Sequence, residues 1–187
     1  MLKLYLFDQY DELTDAFLER ALQVLPEARR DRAMRYRKKV DLWNCVLAYL
    51  MLQYALRKFN GIVPFKIALE PNGKPYLPDY PNVHFNISHC KRGCVVAVAD
   101  YPVGVDIQEI RPFSWDVARR VCCEDELAFL LNCKDKDRAF IRIWVKKESW
   151  VKKSGVGIGS HLKNLNSQHG DLGRVVIDNA NYIVALA

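Results

Sequence analysis

The chain has 187 residues, half of them hydrophobic and 27% charged, enough for one large domain or two small halves sharing a core. Its formal net charge of +6 points to an anionic partner, without choosing among nucleic acid, a phosphorylated small molecule and an acidic protein. No apolar run approaches the roughly 18 residues that span a bilayer, and the best candidate, residues 46–56, contains Gln53, so no membrane role is expected. Residues 1–7 alternate as a strand and lack the apolar core and small-residue cleavage site of a leader, so a cytoplasmic chain is expected. Leu13, Phe17, Leu18, Leu22 and Leu25 recur at helical spacing and predict a helix over residues 11–24. Pro26 then opens a basic helix through RRDRAMRYRKK, residues 29–39, whose plain reading is a solvated charged face. A long helix is expected over about residues 41–60, stopped by Asn60-Gly61.

FKIALEPNGKPYLP reads as a strand, a tight turn at residues 71–74 and a short extended segment. Three strand-like runs follow, at residues 83–89, 94–100 and 103–110, and their short links predict an antiparallel meander. Helices are expected from about Trp115 and over residues 124–131. A strong helix over residues 137–153 carries Phe140, Ile143, Trp144 and Val151 on one side. The glycine-rich GVGIGS, residues 155–160, lacks the Lys-Ser/Thr of a P-loop and reads as a turn. The C-terminal RVVIDNANYIVALA predicts a closing hairpin. Strands and helices come in mixed blocks rather than a regular βαβ series, which predicts an α+β fold. The six cysteines include no CxxC pair, and reduced structural thiols are expected.

Asp106 lies on a predicted strand among Val103, Val105 and Ile107, where an acid is costly to bury without a partner. Gln108 shares its sheet face. Oxygen ligands on one face suit a hard cation such as Mg²⁺; the alternative is a strand-end acid paired with a lysine. In WVKKESWVKK the lone acid, Glu148, is a helical neighbour of Lys152 and adjoins Lys147. That is either a surface pair or a metal-binding base among lysines that neutralise phosphate. Ser88 and His89 end a strand at a basic loop, as a cap and an exposed ring or as phosphate donors.

Taken in order, GKPYLPDYPNVHFNISH, GVDIQ and WVKKESWVKK resemble the 4′-phosphopantetheinyl transferases of the surfactin-synthetase-activator type, and PEARRDRAMRY resembles that family's basic helix. The resemblance implies two similar α+β halves forming a pseudo-dimer, residues 1–101 and 102–187, with the active site in the cleft between them. It implies transfer of the phosphopantetheine arm of coenzyme A to a serine of an apo acyl or peptidyl carrier protein, with Mg²⁺ bridging the pyrophosphate and adenosine 3′,5′-bisphosphate released. Asp106, Gln108 and Glu148 would hold the metal, Glu148 would also take the serine proton, and Lys152 would stabilise the pyrophosphate and leaving group. Arg29, Arg32, Lys74, Ser88 and His89 would contact coenzyme A, the last two near its 3′-phosphate. Gln108 stands where the family carries a second acid, which removes one charge from the metal site. The chain is also short for the type, so trimmed loops are expected. A monomer is expected, and no nucleic acid. The competing readings are a nucleic-acid binder using residues 29–39, and a family member that binds coenzyme A or carrier without turnover.

Overall fold

A computed structural model describes residues 1–156, 162–168 and 172–187. The fold is α+β. It repeats one plan twice: a strand, then helices ending in a long one, then a hairpin whose last strand inserts between the other two. In the first half these are β1 (Leu2–Phe7), α1 (Asp15–Val24), α2 (Glu27–Met34), the long α3 (Lys39–Asn60), β4 (His84–Cys90) and β5 (Gly93–Ala99), giving the antiparallel order β1-β5-β4. In the second they are β6 (Val105–Glu109), α4 (Trp115–Val121), α5 (Glu124–Asn132), the long α6 (Lys136–Ser154), β7 (Arg174–Asp178) and β8 (Tyr182–Leu186), in the order β6-β8-β7. A two-residue-per-strand hairpin, β2 (Ala68–Leu69) with β3 (Pro75–Tyr76), lies between α3 and β4.

Strand alternation sorts side chains into layers. Val96, Val98 and Phe85 face Leu52, Ala55 and Leu56 of α3. The opposite face, Val95, Ala97 and Ala99, meets Val105, Ile107, Val184 and Leu186 of the second sheet. Beyond that, Ile183 and Ala185 pack on Ile141 and Val145 of α6. The order is therefore helix, sheet, sheet, helix. β5 is buried along its whole length because it is central in its sheet and covered on both faces.

Most expected elements form close to their expected bounds. Two expectations are corrected. Residues 103–110 do not complete a meander: β6 pairs with β8, and β5 already has β1 and β4 on its two edges. The basic run is not one helix either. α2 stops at Met34, and α3 begins at Lys39 after a non-helical stretch that holds Arg35 and Arg37. The helix expected over residues 11–24 starts at Asp15, where the Thr14 hydroxyl accepts from the Phe17 amide. The turn expected at residues 155–160 falls largely outside the described residues. No helix among the described residues is long and apolar enough to cross a membrane.

Candidate active site

β6 and α6 meet at one glycine. A Cβ on Gly104 would collide with the backbone of Ser149 and Lys153 and lie 2.9 Å from the Lys153 Cα. Only glycine permits that approach, and alternation then aims Asp106 at the same helix. Asp106 is 5% exposed and Glu148, on the facing surface of α6, 3% exposed. Asp106 Oδ1 accepts from Ser88 Oγ at 2.7 Å and from Lys152 Nζ at 2.5 Å. Lys152 Nζ also donates to Ser88 Oγ at 2.8 Å. Lys152 thus pairs with Asp106, while Glu148 is buried, so the two residues of α6 are not a surface pair.

Two buried side-chain oxygens among the described residues have no hydrogen-bond partner, Asp106 Oδ2 and Glu148 Oε1. A buried polar atom left unpaired is costly. Burial pushes the Glu148 carboxyl above its usual range, the Asp106 charge adds to the rise, and Lys152 opposes it. Gln108, two residues along β6, adds a neutral amide to that face. No group of three His, Cys, Asp or Glu suited to a metal occurs among the described residues, because the third oxygen donor here is an amide. Two unpaired carboxylate oxygens with an amide beside them are still an all-oxygen set of the kind Mg²⁺ accepts, its shell completed by water and phosphate.

Ser88 and His89 point to opposite sides of β4. Ser88 faces Asp106 and Lys152. His89 opens on a cavity of about 390 Å³ that Arg29 and Arg32 of α2 also line, with Asp41, Cys45, Gly73 and Ile87. Arg29 stacks over the Tyr49 ring at 5.2 Å. Burial, and then the neighbouring Arg32 charge, hold its guanidinium below the ordinary value. Burial and Lys152 hold the His89 imidazole below its ordinary value. Two arginines against one acid make this cavity a receptacle for anions.

Lys74 lies apart from that cavity's wall. Its Nζ donates to the Lys153 carbonyl at 2.5 Å, at the C-terminal end of α6, where a cation is favoured. Burial lowers its pKa. The structure thus brings Asp106, Glu148, Lys152 and Ser88 together, places Arg29, Arg32 and His89 around the adjoining cavity, and sets Lys74 against the end of the helix that carries Glu148. A larger cavity, about 780 Å³ between α5, α6 and β7, is lined by none of these residues.

Lys147 is elsewhere. It is fully buried on the other side of α6, where Nζ contacts Glu126 Oε2 at 2.5 Å and the carbonyls of Val121 and Leu162 at 2.8 and 2.9 Å. It does not neutralise phosphate. The signal was present in the sequence: Ile143, Lys147 and Val151 are spaced by four, so Lys147 stands in the apolar stripe of α6. Asn86 and Gly104 were also missed. Both belong to motif stretches whose charged members drew the attention.

Residues 102–182 match the model of the 4′-phosphopantetheinyl transferase superfamily, and residues 12–101 match the model of the 4′-phosphopantetheinyl transferase N-terminal region. A 4′-phosphopantetheinyl transferase of Bacillus subtilis is 31% identical over 165 residues, covering 86% of this chain and 73% of the relative. The Sfp enzyme of Bacillus subtilis strain 168 is also 31% identical, over 169 residues and the same shares. The human L-aminoadipate-semialdehyde dehydrogenase-phosphopantetheinyl transferase is 33% identical over 109 residues, half of this chain and 35% of the relative. The chain belongs to the 4′-phosphopantetheinyl transferase superfamily and is an enzyme of the Sfp type, with coenzyme A as the donor and a carrier protein as the acceptor of the phosphopantetheine arm.

Proposed function

We propose that this chain moves the 4′-phosphopantetheine arm of coenzyme A to a serine of an apo acyl or peptidyl carrier protein in a Mg²⁺-dependent reaction that releases adenosine 3′,5′-bisphosphate. The observation that carries the reading is the pair of unpartnered buried oxygens, Asp106 Oδ2 and Glu148 Oε1, beside Lys152. Asp106 and Glu148 hold the cation with Gln108 alongside. Bound there, Mg²⁺ supplies neutralisation of the pyrophosphate charge. Glu148, its basicity raised by burial, accepts the proton of the carrier serine, directly or through water. The serine oxygen attacks the phosphorus that bears the pantetheine arm, and the bond to the adenosine bisphosphate breaks. Lys152 stabilises the charge that develops on the pyrophosphate and leaving group.

Arg29, Arg32 and His89 receive the phosphorylated adenosine end in the cavity they line. Ser88, between Asp106 and Lys152, links that end to the reacting one, and Lys74 stands at the cleft edge. The cleft runs between residues 1–101 and 102–187, which we take as the two halves. Each half already has the other as its packing partner, which supports a monomer as the working form; the reading also takes the chain as cytoplasmic, and nucleic acid is no part of it.

The test is incubation with coenzyme A, Mg²⁺ and an apo-carrier protein, read by intact mass. The carrier gains one phosphopantetheine arm, the small product is adenosine 3′,5′-bisphosphate, and chelation of Mg²⁺ stops both. A carrier of unchanged mass rejects the reading.

A further inference from the structure

β6 is an edge strand, and alternate backbone donors along it have no neighbouring strand to bond. Gly104 and Ala187 exchange two backbone hydrogen bonds, 3.0 and 2.9 Å. Antiparallel alternation therefore turns the amides of Asp106 and Gln108 toward β8 and those of Val105 and Ile107 outward. Val105 and Ile107 are buried, so these two amides need partners. Both partners are side chains of β4, in the other half of the molecule. Val105 N donates to Asn86 Oδ1 at 2.9 Å, and Ile107 N donates to Ser88 Oγ at 3.3 Å. Asn86 and Ser88 are two residues apart and share one face of β4, so together they act as a substitute strand along the free edge of β6. Asn86 is 6% exposed.

We propose that Asn86 is a positioning residue for the transfer reaction. Through the Val105 amide it fixes the height of β6 against β4, and so fixes where Asp106 stands between Ser88 and Lys152. The inference rests on the reading of Asp106 given above. Asparagine suits the place because its amide oxygen reaches the amide across the gap without charge. Without an acceptor the Val105 amide is buried and unpaired, which is the expensive way to lose a hydrogen bond. β6 is then free to shift, and Asp106 shifts with it.

The test compares Asn86→Leu, which keeps the shape and removes the acceptor, with Asn86→Asp, which keeps an acceptor. Amide hydrogen exchange of Val105 and Ile107 is measured without metal or substrate, and transfer is titrated against Mg²⁺ and coenzyme A. Asn86→Leu is expected to speed Val105 exchange and to cost about 10–100-fold in Mg²⁺ midpoint or kcat, the range found for residues that orient a metal ligand. KM for coenzyme A should hold within about twofold, because the 390 Å³ cavity is untouched. Asn86→Asp is expected to restore Val105 protection. Should Asn86→Leu fail to fold, Asn86→Ser, which draws the acceptor back from Val105, takes the same readings. The proposal is overturned if Val105 protection and Mg²⁺ midpoint both survive loss of the acceptor, or if Asn86→Asp exchanges as fast as Asn86→Leu. A wild-type chain that transfers nothing rejects this inference and the proposed function together; one that transfers while the variants behave as wild type rejects this inference alone.

Discussion

Glu148 is ionisable where ionisation is disfavoured. Its carboxyl is raised by burial and by Asp106, so in the apo protein it contributes stability below the usual carboxylate range and loses it as pH rises through the folded value. Glu148→Gln should therefore leave the apo protein as stable as wild type at neutral pH, or more so. It should lower transfer by about 10²–10⁴-fold and weaken the rise in melting temperature that Mg²⁺ is expected to give wild type. A variant that keeps more than about a tenth of wild-type turnover would remove the base assignment. Glu126, paired with Lys147 on the other side of α6, behaves in the opposite way. Burial pushes the Glu126 carboxyl up, but bonds from Lys147 and Ser167 outweigh it and hold the group below its usual range. Glu126 thus contributes stability above the unfolded value, about 4.3, and loses it as pH falls through the lower folded value. Lys147→Met leaves a buried acid unpaired and should cost about 3–5 kcal/mol at pH 7. It should also flatten the acid-range slope, because burial is then opposed only by the amides of Ser167 and Cys123. Thermal melts of wild type and variant from pH 7 to 4 read both effects, and a variant that melts like wild type at pH 7 would mean the pair holds nothing together.

α6 is the element on which the site depends, and its ends were legible in the sequence. Asp135 caps it by accepting from the Arg138 amide, and Gly155 ends it in a left-handed conformation at φ 72°. What the sequence did not reveal was its distance from β6, which is set by Gly104. Gly104→Ala should push α6 away, separate Glu148 and Lys152 from Asp106, and destabilise the fold by about 1–3 kcal/mol or more, as overpacking does. Gly93→Ala is the control, since its nearest neighbour, at 2.9 Å, is the movable Cδ1 of Ile107. Transfer rates and urea midpoints of the two variants compare them, and equal losses would show that the β6–α6 approach is not special. The missed topology has a similar cause. Alternation marks β4, β5 and β6 as strands but not their partners. That β6 joins β8 depends on residues about 80 positions later in the chain, and the turn signals between β5 and β6 favour the local pairing. Ser88 was read through its neighbour His89, although period two places them on opposite faces; the same period links Ser88 to Asn86.

At the scale of the whole molecule, the structure changes which of the 28 Lys and Arg residues remain available to an anionic partner. Lys147 is neutralised by Glu126, Lys152 is engaged by Asp106, Lys39 pairs with Asp15, and Arg138 and Arg142 both pair with Asp178. Arg29 and Arg32 turn into the cavity. Arg30, Arg35, Arg37 and Lys38 stay exposed along α2 and the stretch that follows it. Carrier proteins of this class, as the family implies, are acidic around the modified serine. Opposite fields of that kind speed encounter over a screening length of roughly 8 Å at physiological salt. Charge reversal at Arg30 and Arg37 should therefore slow capture of an acidic apo-carrier by about tenfold at low salt, the lower end of electrostatic steering. It should leave coenzyme A affinity within about twofold, since neither residue lines the 390 Å³ cavity. Raising salt should shrink the difference between wild type and variant until the two coincide. Stopped-flow association of labelled carrier across a salt series, beside calorimetry of coenzyme A alone, separates the two effects. Carrier association that ignores both salt and charge reversal would place the docking surface away from α2.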